Sequence, residues 1–170
     1  NVTGVQTCAL PIFDESADQD FESVGGGLYD YVYASTDYTL AAGVEVEYLY
    51  ANAGSTPLSL TGNELANRIY GNAGIDTLVG GAGDDRLDGM AGSDRMYGGT
   101  GNDRYYVNDA ADQIFESVGE GATDYVYATV DYTLTVGAEI EYFYAYAGNS
   151  PLTLTGNSFR SEEHTSEIQS

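Results

Sequence analysis

The stretch from Gly80 to Tyr106 reads GGAGDDRLD, GMAGSDRMY and GGTGNDRYY, three consecutive units of nine residues. Each unit has glycine at positions one and four, aspartate at position six and a large apolar or aromatic side chain at position eight. Two looser copies precede it at 62–70 and 71–79, and a degenerate copy, VNDAADQIF, follows at 107–115. A period this short indicates a repeat architecture in which each unit packs on its neighbours.

Each unit predicts a tight turn followed by a short strand. Glycine tolerates a positive φ, so the first six residues form the turn and the last three form the strand. Two units make one coil of about 18 residues, and position eight therefore alternates between two facing sheets. The expected inward side chains are Ile69, Leu87 and Tyr105 on one sheet and Leu78, Met96 and Ile114 on the other. The predicted fold is all-β, a parallel β-roll or β-solenoid with longer-turn flanking strands.

A longer repeat surrounds this array. Ala17 to Leu40 recurs with few changes as Ala111 to Leu134, and PLSLTGN at 57–63 recurs as PLTLTGN at 151–157. The flanks alternate apolar and polar residues, as in Tyr31 to Tyr33 and Val44 to Tyr48, which predicts strands that continue the same stack. We therefore divide the chain into a first flank at 13–61, the nonapeptide array at 62–115 and a second flank at 116–159.

Both termini have an unusual origin. Residues 160–170, RSEEHTSEIQS, back-translate to a sequence that resembles a short-read sequencing adapter. Residues 2–12 back-translate to nearly its reverse complement, which two unrelated protein segments have no reason to share. We interpret 1–12 and 160–170 as adapter-derived and exclude them from fold reasoning. Cys8 and His164, the single cysteine and histidine, then carry no function.

The charge of the chain limits its partners. The 170 residues carry a formal net charge of -22, and between residues 13 and 159 the basic side chains are four arginines. Nucleic acid and anionic membrane surfaces require clustered lysine or arginine, so both are poor partners, and no segment is suited to membrane insertion. Cations are better partners for such a surface. The alternating tyrosine, valine and leucine runs favour ordered strands over disorder.

The aspartates at position six form the candidate metal site. Turns on the same side of the roll recur every second unit, which places Asp76 over Asp94, Asp85 over Asp103 and Asp94 over Asp112. Ca2+ takes six to eight oxygen ligands in flexible geometry, and paired carboxylates with glycine-turn carbonyls meet that demand better than they meet the demand of Mg2+. Asn67 supplies no charge, so its site with Asp85 is expected to be weak. The predicted metal ligands are Asp76, Asp85, Asp94, Asp103 and Asp112.

These units resemble the repeats-in-toxin (RTX) nonapeptide family, whose pattern is G-G-x-G-x-D-x-U-x with U apolar. The resemblance implies a Ca2+-binding, non-catalytic module of an exported bacterial protein. Members of this family leave the cell unfolded through a type I pathway and fold outside, where calcium is millimolar. It therefore also implies an extracellular or cell-surface location, with calcium ions and further repeats of the same parent chain as partners.

Two other roles remain open. The array is also compatible with a stalk or matrix repeat of an adhesin or surface-layer protein, which many more copies of the long repeat would support. It is also compatible with the C-terminal module of a secreted protease, lipase or toxin whose catalytic domain lies elsewhere. Within the chain itself, no G-x-S-x-G motif occurs and the only histidine lies in the tail, so we expect no enzyme activity.

Three other patterns have a functional and an ordinary interpretation. The tyrosine ladders, including Tyr125 and Tyr127, suit a sugar-binding face, but cross-strand packing explains them more simply. Arginines at position seven suggest an anion column, yet Arg95 is expected on the opposite sheet from its neighbours, which favours solvated charge balance. Glu45 and Glu47, repeated at Glu139 and Glu141, resemble an acid/base pair, but they alternate along one predicted strand and favour a solvated face.

Overall fold

The computed structural model describes residues 29–146 and 151–158, together with the backbone of 162–164. Every strand pairing in these ranges is parallel, and the described residues contain no helix, so none that could cross a membrane. The strands are β1 (Tyr31–Ala34), β2 (Tyr38–Thr39), β3 (Tyr48–Ala51), β4 (Ser59–Thr61), β5 (Arg68–Tyr70), β6 (Thr77–Ala82), β7 (Arg86–Asp88), β8 (Arg95–Thr100), β9 (Arg104–Val107), β10 (Gln113–Phe115), β11 (Tyr125–Ala128), β12 (Tyr132–Thr133), β13 (Tyr142–Ala145), β14 (Leu154–Thr155) and β15 (Glu162–His164).

The chain winds as a solenoid of about seven turns. Odd-numbered strands form one sheet in the order β1-β3-β5-β7-β9-β11-β13-β15. Even-numbered strands form the facing wall, a five-stranded sheet β10-β8-β6-β4-β2 followed by the pair β12-β14. The chain thus passes from one wall to the other with each successive strand and returns to the same wall one coil later. This confirms the predicted parallel β-roll.

The core is a single file of side chains on each wall. Ile69 pairs with Leu87 and Leu87 with Tyr105 in the eight-stranded sheet, whereas Leu78 pairs with Met96 in the other. All of these position-eight side chains, and Ile114, are fully buried, as the alternation of the short repeat predicts. Strands β5 to β8 and β10 each bury a single apolar side chain, which makes the core of the array thin, so the turns contribute a large share of the contacts between coils.

The turns stack so closely that their backbones touch. A Cβ on Gly80 would lie 2.5 Å from the carbonyl oxygen of Gly98 one coil later, a distance that no side chain tolerates. Gly99 and Gly101, at positions two and four, have φ values of 96° and 136°. Met90 occupies position two of its unit and has a φ of 64°, the one positive value for a non-glycine residue within the described ranges.

The flanks continue the stack, with one local difference from the predicted strands. The runs around Tyr31 and Tyr125 form β1 and β11, which pair with β3 and β13. The segment from Val44 to Glu47 is not a strand, and β3 begins only at Tyr48. Val44 and Val46 are buried as the alternation suggests, but their N–H groups donate within the turn, to the carbonyl oxygens of Ala41 and Val44, instead of to a neighbouring strand.

Of the two termini interpreted as adapter-derived, 1–12 and 160–170, the structure describes only the backbone of 162–164. Positions 1–28, 147–150, 159–161 and 165–170 are not described, and this includes Cys8 and the first half of the long repeat's first copy. Residues 162–164 form an edge strand whose backbone pairs with β13. The division into segments at 13, 62, 116 and 160 stays a prediction.

Candidate metal centre

The position-six aspartates form two columns inside the roll. The first column precedes the strands of the five-stranded sheet, and the second column precedes strands of the eight-stranded sheet. The first column consists of Asp76, Asp94 and Asp112, and the second of Asp85, Asp103 and Asp124. All six carboxylates are buried, with at most 5% of any residue exposed. Buried carboxylates this close together require hydrogen bonds or a cation to be tolerated.

One oxygen of each carboxylate is used by the backbone. The N–H of Asp76 donates to Oδ1 of Asp94 at 2.7 Å, and the N–H of Asp94 donates to Oδ1 of Asp112 at 2.9 Å. In the second column the N–H of Asp85 donates to Oδ1 of Asp103 at 2.8 Å, and that of Asp103 donates to Oδ1 of Asp124 at 2.7 Å. The predicted pairs eighteen residues apart are therefore stacked in direct contact.

The second carboxylate oxygen, Oδ2, has a hydrogen-bond partner in some of these aspartates but not in others. Oδ2 of Asp85, Asp94 and Asp103 is buried and has no hydrogen-bond partner among the described residues. At the ends of the first column, Oδ2 of Asp76 accepts the N–H of Asn72 at 2.7 Å, and Oδ2 of Asp112 accepts the N–H of Asp109 at 3.2 Å. Three buried carboxylate oxygens thus lack a partner, a costly arrangement for ionised groups.

Burial changes the proton affinity of these groups. Loss of water raises the pKa of Asp85 to about 8 and that of Asp94 to about 7, against an ordinary value near 4. The same cause raises the pKa of Asp103 to about 6, and neighbouring acidic groups add to the effect in all three. A group with a raised pKa is one whose negative charge is poorly compensated, and a bound cation would supply that compensation.

Asn67 heads the second column in place of an aspartate. Its N–H donates to Oδ1 of Asp85 at 2.7 Å, and its side-chain Oδ1 accepts the N–H of Asn63 at 2.8 Å. Its amide nitrogen donates to the carbonyl oxygen of Val46 at 2.7 Å, so all of its polar groups are satisfied within the protein. The asparagine therefore ends the column without adding charge.

The sequence reasoning did not identify three acidic residues that extend the second column. Asp124 follows Asp103 by 21 residues, because the turn before it is longer than a nonapeptide turn. The N–H of Asp124 in turn donates to Oε2 of Glu141 at 2.7 Å, so a glutamate that was expected on a solvated face continues the column. Glu116 is 3% exposed beside Asp103 and Asp124. Asp124 lies two residues before a buried strand residue, as the other aspartates of the columns do. A search for that local pattern, without requiring a spacing of nine residues, would have found it.

The outer face of the eight-stranded sheet carries most of its tyrosines and three of the arginines. Tyr125 stacks on Tyr142 with ring centroids 5.0 Å apart, and Tyr50 stacks on Tyr70 at 4.7 Å. Arg86 lies 3.9 Å from the ring centroid of Tyr106. Such contacts between neighbouring strands stabilise the sheet by packing and cation–π attraction.

The donor set of the columns determines which ion it suits. It consists of carboxylate oxygens and the carbonyl oxygens of stacked glycine turns, without nitrogen or sulfur. Hard cations such as Ca2+ prefer oxygen ligands of this kind, whereas metals that prefer thiolate or imidazole ligands do not. Glycine at positions one and four leaves room for several oxygens to approach one ion.

Comparison with known families agrees with this assignment. A family model described as RTX calcium-binding nonapeptide repeat (4 copies) matches residues 61–96, 70–105 and 79–114. These overlapping matches cover about a third of the chain and include Asp76, Asp85, Asp94, Asp103 and Asp112. Neither a curated protein nor a solved structure was found to match the chain.

Proposed function

Because residues 61–114, which span nearly all of the nonapeptide array, match the RTX calcium-binding repeat family, we propose that this chain is a non-catalytic module that folds when Ca2+ binds between its turns. The observation that carries the proposal is the set of buried Oδ2 atoms of Asp85, Asp94 and Asp103, which have no partner among the described side chains and backbone groups. A divalent cation is the simplest partner that satisfies several such oxygens at once.

Each ion is proposed to lie between aspartates one coil apart. The three pairs are Asp76 with Asp94, Asp94 with Asp112, and Asp85 with Asp103. In every pair Oδ1 of the later aspartate already accepts a backbone N–H, and a carboxylate oxygen retains a second lone pair for a metal. Carbonyl oxygens of the stacked turns complete the shell, as expected where Gly98 lies directly against Gly80.

Calcium suits these turns better than magnesium. Mg2+ demands near-ideal octahedral geometry at about 2.1 Å and retains its water, whereas Ca2+ accepts six to eight oxygens at about 2.3 to 2.6 Å. A buried site built from carboxylates and main-chain carbonyls leaves little room for bound water. We therefore expect folding to depend on Ca2+ and to respond weakly to Mg2+.

The coupling to folding follows from the thin core and the acidic charge. With one buried apolar side chain on most strands of the array and a net charge of -22, the metal-free chain gains little from burial there and suffers repulsion between its columns. Ions that bind only the folded state stabilise it in proportion to their concentration. Extracellular modules typically bind calcium with a Kd of about 10⁻⁴ to 10⁻³ M, so the chain would fold after export rather than inside the cell.

The proposed biological setting is an exported RTX-type protein in which this module acts as a Ca2+-dependent spacer or folding element. The parallel stack supports this role, since further repeats of the same parent chain can be added to it without a new core. The acidic surface supports calcium ions as the partner and disfavours nucleic acid.

Far-UV circular dichroism of the full chain tests the proposal. The spectrum in chelator is expected to lack most of the β signal, to gain it at millimolar Ca2+, and to change little with the same concentration of Mg2+. The matched comparison is between the two cations at equal ionic strength. A spectrum that is already β-rich in chelator and unchanged by Ca2+ would reject calcium-coupled folding.

A further inference from the structure

A cluster of three carboxylates closes the nonapeptide array at its C-terminal end. Asp103, Glu116 and Asp124 each offer one oxygen, and these atoms lie within 4.8 Å of one another. The residues are 0%, 3% and 1% exposed. Glu116 and Asp124 lie beyond the segment that matches the repeat family.

The short repeat explains why Glu116 points inward. Counted in units of nine, Glu116 stands at position one, where the first five units carry glycine. The residue one coil earlier is Gly98, and a Cβ there would collide with Oδ2 of Asp103 and the hydroxyl of Tyr105 and lie 2.7 Å from Oε2 of Glu116. The absent side chain of Gly98 therefore leaves the space in which the three polar groups meet.

Two oxygens in this space have no hydrogen-bond partner. They are Oδ2 of Asp103 and Oε1 of Glu116, both inaccessible to solvent among the described residues. The hydroxyl of Tyr105 donates to the other glutamate oxygen, Oε2, and the N–H of Asp103 donates to Oδ1 of Asp124. These bonds hold the carboxylates in place and leave one buried oxygen of Asp103 and one of Glu116 without a partner among the described residues.

We propose that Asp103, Glu116 and Asp124 bind one divalent cation, with Ca2+ as the fitting ion, in a site that the nonapeptide pattern does not encode. The inference rests on the proposed function only in that the same ion is taken up. Oxygens within 4.8 Å of one another can share a centre at the 2.3 to 2.6 Å typical of calcium. Three negative charges in one buried place also require more compensation than a pair does.

The third carboxylate distinguishes this site from those of the repeat. A turn that begins with glycine contributes only backbone oxygens at position one, whereas Glu116 contributes a full charge. Calcium affinity rises with ligand charge, so this site is expected to fill first as Ca2+ increases. It also joins the turn before β9 to the turn before β11, and thereby links the array to the second flank.

A proton is the alternative occupant. Burial, as the largest cause, raises the pKa of Glu116 to about 9 and that of Asp124 to about 7, so both carboxyl groups hold protons readily when no metal is present. A cluster that serves only as a neutral hydrogen-bonded plug would remain protonated in calcium. The two occupants are separated by counting bound ions.

The test compares bound calcium in the full chain and in two variants by native mass spectrometry in millimolar Ca2+. Glu116→Gln keeps the shape and removes the charge, and it is expected to bind one calcium ion fewer than the wild type. Glu120→Gln is the matched control, because Glu120 is a partly exposed neighbour that accepts the N–H of Ser117, and its ion count should not change. An unchanged count for Glu116→Gln overturns the proposal. A wild type that binds no calcium overturns the proposed function instead.

If Glu116→Gln does not fold, a second variant and a metal soak of the wild type test the same site. Asp124→Asn retains the oxygen that accepts the Asp103 N–H and should also lose one ion. In the wild type, crystals soaked with terbium should show an anomalous peak between the three carboxylates. The absence of that peak, with terbium bound elsewhere in the columns, would rule out the site.

Discussion

The N–H of Asp76 donates a 2.7 Å hydrogen bond to the carboxylate of Asp94, one coil further along the chain. The same contact recurs along both columns, so the side chain of each aspartate positions the backbone of the turn before it. These hydrogen bonds occupy Oδ1 and direct Oδ2 toward the first glycine of the same turn, where a Cβ would collide with it. The structure thus aligns a row of buried carboxylate oxygens along each column.

Asp94→Asn is expected to weaken calcium binding strongly. The asparagine keeps the acceptor for the Asp76 N–H, but it replaces an orphaned oxygen shared by two proposed sites with an amide nitrogen. We expect at least one ion to be lost and the calcium midpoint of folding to rise on the order of tenfold. Circular dichroism during a Ca2+ titration measures the midpoint.

The control for this variant is Asp84→Asn. Asp84 is an exposed aspartate whose Oδ1 accepts the N–H of Asn102. The Asp84→Asn substitution removes one negative charge from the surface. It should change the calcium midpoint of folding by less than about twofold, since exposed charges are screened. Equal shifts for the two variants would mean that general repulsion, and not ligation, controls folding.

Without metal, the roll should be more stable in acid than at neutral pH. The pKa is raised by burial to about 8 in Asp85, about 7 in Asp94 and about 6 in Asp103, so the folded chain binds more protons than the unfolded chain. Stability from these groups is therefore fully present below about pH 4 and is lost as pH rises through the folded pKa values. In chelator, the β signal should be greater at about pH 4.5 than at about pH 8.

Saturating calcium should reverse this dependence, because the ion binds only ionised carboxylates. The comparison requires about 0.5 M salt, which shortens the range of surface charge effects and isolates the buried groups. A metal-free chain that is equally folded at both pH values would contradict the assignment of buried, poorly compensated carboxylates.

Met90→Gly is expected to stabilise the calcium-loaded protein. Met90 has a φ of 64° at a position where two other units place glycine, and its side chain is 41% exposed. Relief of the left-handed conformation should contribute about 1 kcal/mol, reduced by the greater freedom of glycine in the unfolded chain. Thermal unfolding in millimolar calcium should show a higher Tm.

The neighbouring exposed residue provides the control for this substitution. Ala91→Gly adds the same unfolded-state freedom without relieving a positive φ, so it should lower the Tm. If both glycine variants lower the Tm to the same extent, the methionine is not strained in solution.

Gly101→Ala should be much more disruptive than Gly137→Ala. Both glycines have a positive φ, 136° and 94°, but a Cβ on Gly101 would collide with the carbonyl of Gly83 whereas a Cβ on Gly137 meets nothing within 4 Å. Gly137→Ala should cost about 1 kcal/mol from its conformation alone, and Gly101→Ala about 2 to 4 kcal/mol, because the stacked turns must also separate. Chemical denaturation in calcium measures both, and similar losses would argue against close stacking of the turns.

The nonapeptide period predicted the features that depend on strict repetition. It identified the inward side chains from Ile69 to Ile114 and the stacking of Asp76 on Asp94, because equal spacing brings equivalent positions into register. The chain's alternation also predicted strands around Tyr31 and Tyr125. Alternation misled at Val44 to Glu47, where side chains alternate in burial but the backbone does not join a ladder.

By itself, the sequence determined the fold class, the two walls and five of the buried aspartates, since each follows from local residue choice repeated at a constant interval. Only the tertiary structure decided that Asp124 and Glu141 continue the second column and that Glu116 reaches Asp103 across the space above Gly98. Those contacts depend on how far a longer turn displaces the next coil. That displacement depends on how whole coils pack on one another, and a constant interval of nine residues in the sequence does not predict it.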